Sequence, residues 1–130
     1  MTKYQFKLVD SLEKVMPVRT PEELSELSLK GYVGERISFQ LAYTCENDDL
    51  GHSGTKFCIQ LESPLKPHLH VRKVGLVPCA YPCHGSVDSD YLTTEPGLYP
   101  DVLLPASEKE EFKAIPKQWR AIWIDVDGDI

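Results

Sequence analysis

No apolar run in the 130-residue sequence approaches the roughly 20 residues that cross a membrane as a helix. The opening Met1-Thr2-Lys3-Tyr4-Gln5-Phe6-Lys7 alternates and has no long apolar core, so no secretion signal is read there and a cytoplasmic setting is expected. Basic charge is in deficit: 14 Lys and Arg stand against 20 Asp and Glu, a formal net of −6. That balance argues against a nucleic-acid backbone or an anionic membrane as the main partner. The phosphate-cradling glycine loop, the Gly-x-Ser-x-Gly elbow and the His-Glu-x-x-His pair are all missing, and no cofactor is implied. There is no internal repeat and no low-complexity tract. Helix signals are few. Thr20-Pro21-Glu22-Glu23 reads as a capping box that would start a short helix over residues 20–27. Ser107-Glu108-Lys109-Glu110 would cap a single turn. Neither is long enough to cover a sheet.

What remains is strand. Tyr4, Phe6 and Leu8 alternate with polar neighbours over residues 4–9. Ile37, Phe39, Leu41 and Tyr43 alternate over 36–43, and Phe57, Ile59 and Leu61 over 56–61. Each run has the period of two that marks a strand with one buried face. Residues 69–77 are less regular, and the switch of apolar side between Val71 and Val74 predicts a bulge around Arg72-Lys73. From Ala121 to Val126, Ile122, Ile124 and Val126 share one side and Trp123 takes the other, so both faces are expected to be covered. Residues 47–54 read as a polar hairpin connection and 63–67 as a turn.

Short strands with little helix predict an all-β fold, an antiparallel β-sandwich of the immunoglobulin-like or jelly-roll-like kind, as one domain over residues 1–130. Asp127-Gly128-Asp129 is a turn signal directly after the best strand, and it calls for a hairpin partner beyond Ile130. The chain therefore reads as a piece of a longer protein, cut at a turn and short of its last strand or strands. An unpaired apolar strand from Ala121 to Val126 would then be open to homodimerisation.

The stretch Glu95-Pro96-Gly97-Leu98-Tyr99-Pro100-Asp101-Val102-Leu103-Leu104-Pro105 has three prolines and four large apolar residues. It reads as a rigid loop that must lie against its own sheet or a neighbouring domain. Together with Gly34-Glu35-Arg36-Ile37-Ser38-Phe39-Gln40-Leu41, Val74-Gly75-Leu76-Val77-Pro78 and Trp123-Ile124-Asp125-Val126, in that order, it resembles the N-terminal β-sandwich domain of glycoside hydrolase family 123. Asp10-Ser11-Leu12-Glu13-Lys14-Val15 near the start matches as well. The resemblance implies an accessory domain that precedes a (β/α)8 barrel, which cleaves β-linked N-acetylgalactosaminides with an adjacent Asp-Glu pair and the substrate's own acetamido group. A barrel needs roughly 250 residues. Asp48-Asp49, Glu22-Glu23 and Glu110-Glu111 are like pairs, so no catalytic residue carries over and the chain alone is not expected to be an enzyme.

Two uses of the remaining residues stay open. Leu98, Tyr99, Asp101, Trp119, Arg120 and Trp123 would pack against the barrel. Alternatively, Tyr99, Trp119 and Trp123, with Tyr91, would form an aromatic platform for sugar rings, with Asp101 and Arg120 holding hydroxyls, as in a stand-alone carbohydrate-binding module. Cys79-Ala80-Tyr81-Pro82-Cys83-His84 has spacing that permits zinc, or a Cys79–Cys83 disulfide. No second cysteine pair lies nearby, and free thiols in a loop are the simpler reading of Cys79, Cys83 and His84. His68 and His70 could grip a metal from one strand face, against the plainer reading of an exposed polar strand start.

Overall fold

The computed structural model describes residues 3–26, 28–46, 55–82, 85 and 93–128. Among them are seven strands: β1 (Tyr4–Asp10), β2 (Ile37–Cys45), β3 (Thr55–Phe57), β4 (Leu69–Cys79), β5 (Gly97–Pro105), β6 (Phe112–Ala114) and β7 (Arg120–Val126). Five form one antiparallel sheet in the order β1-β2-β7-β4-β5, and β3 and β6 form a second, two-stranded sheet. The fold is all-β. Among the described residues no helix is long and apolar enough to cross a membrane.

The alternation of β7 decides both faces. Ile122 and Ile124 pack with Tyr43, Cys45, Phe112 and Ala114 on one side. Phe57 makes an edge contact with Tyr43 at 4.9 Å and stacks on Phe112 at 5.8 Å, so the β3–β6 pair covers this face with aromatic contacts. Burial pushes the Tyr43 phenol up to about 12, so it stays protonated across the neutral range. On the other side Ala121 packs with Val9, Val15, Ala42, Val74 and Trp119, and Trp123 and Leu103 lie against them. This face is covered by an irregular segment, not a sheet. Gln40, buried at mid-β2, donates from its Nε2 to the carbonyls of Asp10 at 2.9 Å and Glu13 at 2.8 Å, and the Trp119 amide donates to Pro17 O at 2.8 Å. Those bonds hold the 11–17 segment down on the sheet.

Several expectations are corrected. The proline-rich stretch is a strand, β5, at the edge of the sheet. An edge strand tolerates residues that cannot donate on its free side, so Pro100 and Pro105 fit there, opposite Leu76 and Arg72. The bulge lies further along than Arg72-Lys73: Gly75 pairs with Val102 and Leu76 with Pro100, which leaves Asp101 as the extra residue. A Cβ on Gly75 would stand 2.5 Å from Val102 Cγ1, so glycine allows that side chain to lie across β4. No helix forms after Thr20: Pro21 is buried, the Leu24 amide donates to Leu8 O at 2.8 Å, and the segment runs as an irregular strap (Leu27 is outside the described residues). Ser107 does start one turn, closed by the Glu110 amide on its carbonyl at 3.0 Å. The strand expected over 56–61 ends at Phe57, and it pairs with β6 instead of forming a hairpin with β2. The 47–54 connection itself lies outside the described residues.

The largest correction concerns β7. It is bonded to β2 along one edge and to β4 along the other, so it is not an exposed strand and offers no edge to a second copy. Its end is also held: the Asp127 amide donates to His68 O at 2.9 Å, and Gly128 O accepts from the Gly34 amide at 3.1 Å. Asp129 and Ile130 lie outside the described residues.

Because Ile122 is fully buried on the central strand, Ile122→Ala should destabilise the protein by about 2–5 kcal/mol, read as a lower urea midpoint with an unchanged slope. A cost near zero would mean that β7 is not the middle of the core.

Candidate functional site

The bulge aims Asp101 away from the sheet, next to the strap. Asp101 is exposed and borders two adjoining cavities, which also share Lys14 and Pro100. The smaller, about 190 Å³, is bounded by Trp123, Gln40, Val74 and Leu103 from the sheet and by Glu13, Lys14 and Val15 from the strap. The larger, about 470 Å³, is bounded by Met16, Val77, Pro78, Cys79, Tyr99 and others, and is mainly apolar. Gln40 commits its Nε2 to the strap carbonyls, and among the described residues its Oε1 has no donor. The smaller cavity therefore combines an indole, a carboxamide, an ammonium and two carboxylates, a set able to exchange hydrogen bonds with hydroxyl groups beside an apolar ring face.

The expected site residues divide between places. Tyr99 and Asp101 border the larger cavity, and Trp123 and Asp101 the smaller one. The Tyr99 hydroxyl donates to Glu95 O, which steadies the start of β5. Leu98 is exposed on the same strand. Trp119 is not part of a platform: it is core, with the Lys7 ammonium 5.9 Å from its ring centre. Arg120 turns to its neighbour Gln118, Nε to Oε1 at 2.8 Å, and borders neither cavity. Tyr91 lies outside the described residues. Lys14, Glu13 and Gln40 were missed. The available signal was Gln40 itself, a polar residue in the middle of the strongest alternating run.

Cys45, Cys58 and Cys79 form no disulfide among the described residues, while Cys83 and His84 lie outside them. Among the described residues no group of three or more His, Cys, Asp or Glu side chains is set to hold a metal. His68 and His70 do not share a strand face, because His68 belongs to a short 3-10 turn (Lys66–His68) before β4.

His70 instead joins a polar cluster at the ends of three adjacent strands. Its Nε2 is 2.7 Å from Asp127 Oδ2, and Arg36 Nε is 2.7 Å from Asp127 Oδ1. Beside them Asp125, 2 % exposed, takes the Ser38 hydroxyl and the Trp123 indole N–H on Oδ1, the latter at 2.8 Å. Arg72 Nε stands 3.5 Å from Asp125 Oδ2, an ion-pair distance, but among the described residues that oxygen accepts no hydrogen bond. The cluster ties β2, β7 and β4 together and fixes the Trp123 ring at the cavity.

No protein-family model matches the chain, and no curated protein matches it.

The hydrogen bond from Arg36, then that from His70, holds the Asp127 carboxyl below its usual value of 3.8. The folded state thus binds fewer protons than the unfolded one in the acid range. Asp127 stabilises the fold above the unfolded value, and this contribution is lost as pH falls through the folded one. Melting temperature followed from neutral pH into the acid range should drop, and Arg36→Gln, which removes the larger cause, should make the drop shallower. An identical acid profile in both proteins would show that the bond does not form in solution.

Proposed function

We propose that this chain is a non-catalytic accessory domain of a glycoside hydrolase resembling those of family 123, and that it packs through its β4–β5 face on the catalytic barrel of its parent protein. The observation that carries the reading is an uncovered apolar face. Lys73, Gly75 and Val77 share one side of β4, and Leu104 and Val102 stand opposite the first two on β5. The β3–β6 layer reaches this side only as far as Lys73, whose ammonium lies 5.4 Å from the Phe112 ring centre. Beyond it Val77, Val102 and Leu104 remain 37 %, 41 % and 46 % exposed. Apolar residues exposed singly are common, but a contiguous set on adjoining strands marks a contact surface. The resemblance supplies the occupant, since the expected domain precedes a barrel.

The source transcript downstream of the Ile130 codon gives the first test. An in-frame, barrel-sized region with an adjacent Asp-Glu pair supports the reading, and a stop codon there removes the partner and overturns it. In the longer protein, Val102→Asp with Leu104→Asp should leave the β domain folded but uncouple its melting from that of the barrel. Unchanged joint melting would place the contact elsewhere.

One observation favours a second reading, a carbohydrate-binding role: Trp123, Asp101, Gln40 and Glu13 meet around a single small cavity. Titration with N-acetylgalactosamine should then shift the Trp123 indole and Gln40 side-chain resonances at millimolar sugar. Asp101→Asn, at an exposed position, should weaken that response several-fold without unfolding the protein. No shift at these two side chains would rule the reading out.

A further inference from the structure

A third cavity, about 430 Å³, opens where β4 begins, between the main sheet and the chain that follows β3. Its volume is within the roughly 300–1,000 Å³ of small-molecule sites. Phe112, buried at the edge of β6, lines it together with Leu69, Val71, Ile59 and Ala106. These residues all belong to or pack against the same apolar core, so a ligand there would rest on hydrocarbon.

The mouth is charged. Lys66, in the 3-10 turn before β4, and Glu108, in the turn after β5, both border the cavity and meet at 2.7 Å. His70 and Arg72 border it too, but their side chains are engaged with Asp127 and Asp125. Among the described residues that border the cavity, Lys66 is therefore the cation left to meet a ligand, and its partner is held only by an exposed contact, with side chains 50 % and 65 % exposed. Exposed pairs of this kind are weak and screened by salt. A second carboxylate with an apolar body behind it would compete with Glu108 on favourable terms, because its tail fills a cavity that Glu108 does not enter.

We propose that this cavity binds a small amphiphile with an aliphatic body and a carboxylate head, of short- to medium-chain fatty-acid chemistry. The body lies against Phe112 and Val71, and the head takes the Lys66 ammonium in place of Glu108. Charge complementarity selects the carboxylate. A neutral head leaves the Lys66–Glu108 pair standing across the mouth. An ammonium head, which Glu108 could take, would meet a lining in which Lys66 and Arg72 are cationic and Glu108 is the one carboxylate among the described residues. This inference is independent of the accessory-domain reading, since the cavity lies apart from the exposed β4–β5 residues.

The test is an amide NMR titration of the full chain with octanoate, octanol and octylamine. Octanoate should shift Leu69, Val71, Ala106 and Phe112 and bind about tenfold more tightly than octanol, with octylamine weakest. Lys66→Gln should abolish the preference for octanoate over octanol. Glu108→Gln, at an exposed position, should tighten octanoate by freeing Lys66. Equal binding of octanoate and octanol, shifts confined to other residues, or a preference unchanged in Lys66→Gln would each overturn the proposal.

Discussion

The structure depends on β7 being enclosed on all four sides. Its two edges are bonded to β2 and β4, one face is covered by the aromatic β3–β6 layer, and the other by the strap between β1 and β2. A strand in that position must be apolar on both faces, and Ala121, Ile122, Ile124 and most of Trp123 are. The exception is Asp125, the residue with most at stake electrostatically. A buried carboxylate is costly unless its oxygens are met by donors or cations. Ser38, Trp123 and Arg72 meet it from β2, β7 and β4 in turn. The two strands bonded to the edges of β7 thus also supply a donor and a cation to its carboxylate, and the Trp123 ring that borders the small cavity is oriented by its own bond to that group.

The two faces are closed by different means. Aromatic edge and stacking contacts among Tyr43, Phe57 and Phe112 close one, and these rely on burial and shape. On the other, a single carboxamide gathers the carbonyls of a segment without regular structure, and Val15 is pressed into the core beside Trp119. Buried backbone carbonyls require partners, and an irregular strap cannot supply them from a ladder of its own. Gln40 provides them. The cavity between Trp123 and Lys14 follows directly: a strap fastened at a few points leaves a gap where the bulge of β5 turns Asp101 outward.

Strand periodicity was legible in the sequence because it is local. Residues 4–9 and 36–43 and the split of Ile122 from Trp123 across β7 follow from alternation, whereas the less regular 69–77 gave a strand with its bulge in the wrong place. What the sequence did not disclose is non-local. Prolines at 96, 100 and 105 carry the same signal in a loop as in an edge strand, and only the position of β5 at the end of the sheet distinguishes them. Likewise, a turn after the most apolar strand suggested an open edge, yet β4 had already occupied it by a crossover from β3. Asp101, Tyr99 and Trp123, singled out by residue type, border the two adjoining cavities. Trp119 and Arg120 were misplaced because a tryptophan next to an arginine reads the same in a core as on a platform. Gln40 was missed because polar positions in an alternating strand are assigned to solvent by default.

The edges of the main sheet show where the protein is built to avoid contact and where it is not. At β5 the prolines remove donors along the strand, which discourages another chain from pairing there. The face of the same strand is not protected: Val102 lies over Gly75, and Leu104 and Val77 flank it without a covering layer. An edge blocked against strand addition next to an apolar face left open selects one mode of association over another, side-chain packing rather than sheet extension. A neighbouring domain with its own complementary surface meets that requirement. A second copy adding strand to strand finds β7 internal and β5 proline-blocked, with β1 as the other edge of the sheet. The geometry of this edge therefore favours side-chain packing over strand addition at β5, and it does so from the positions of Pro100, Pro105 and Gly75.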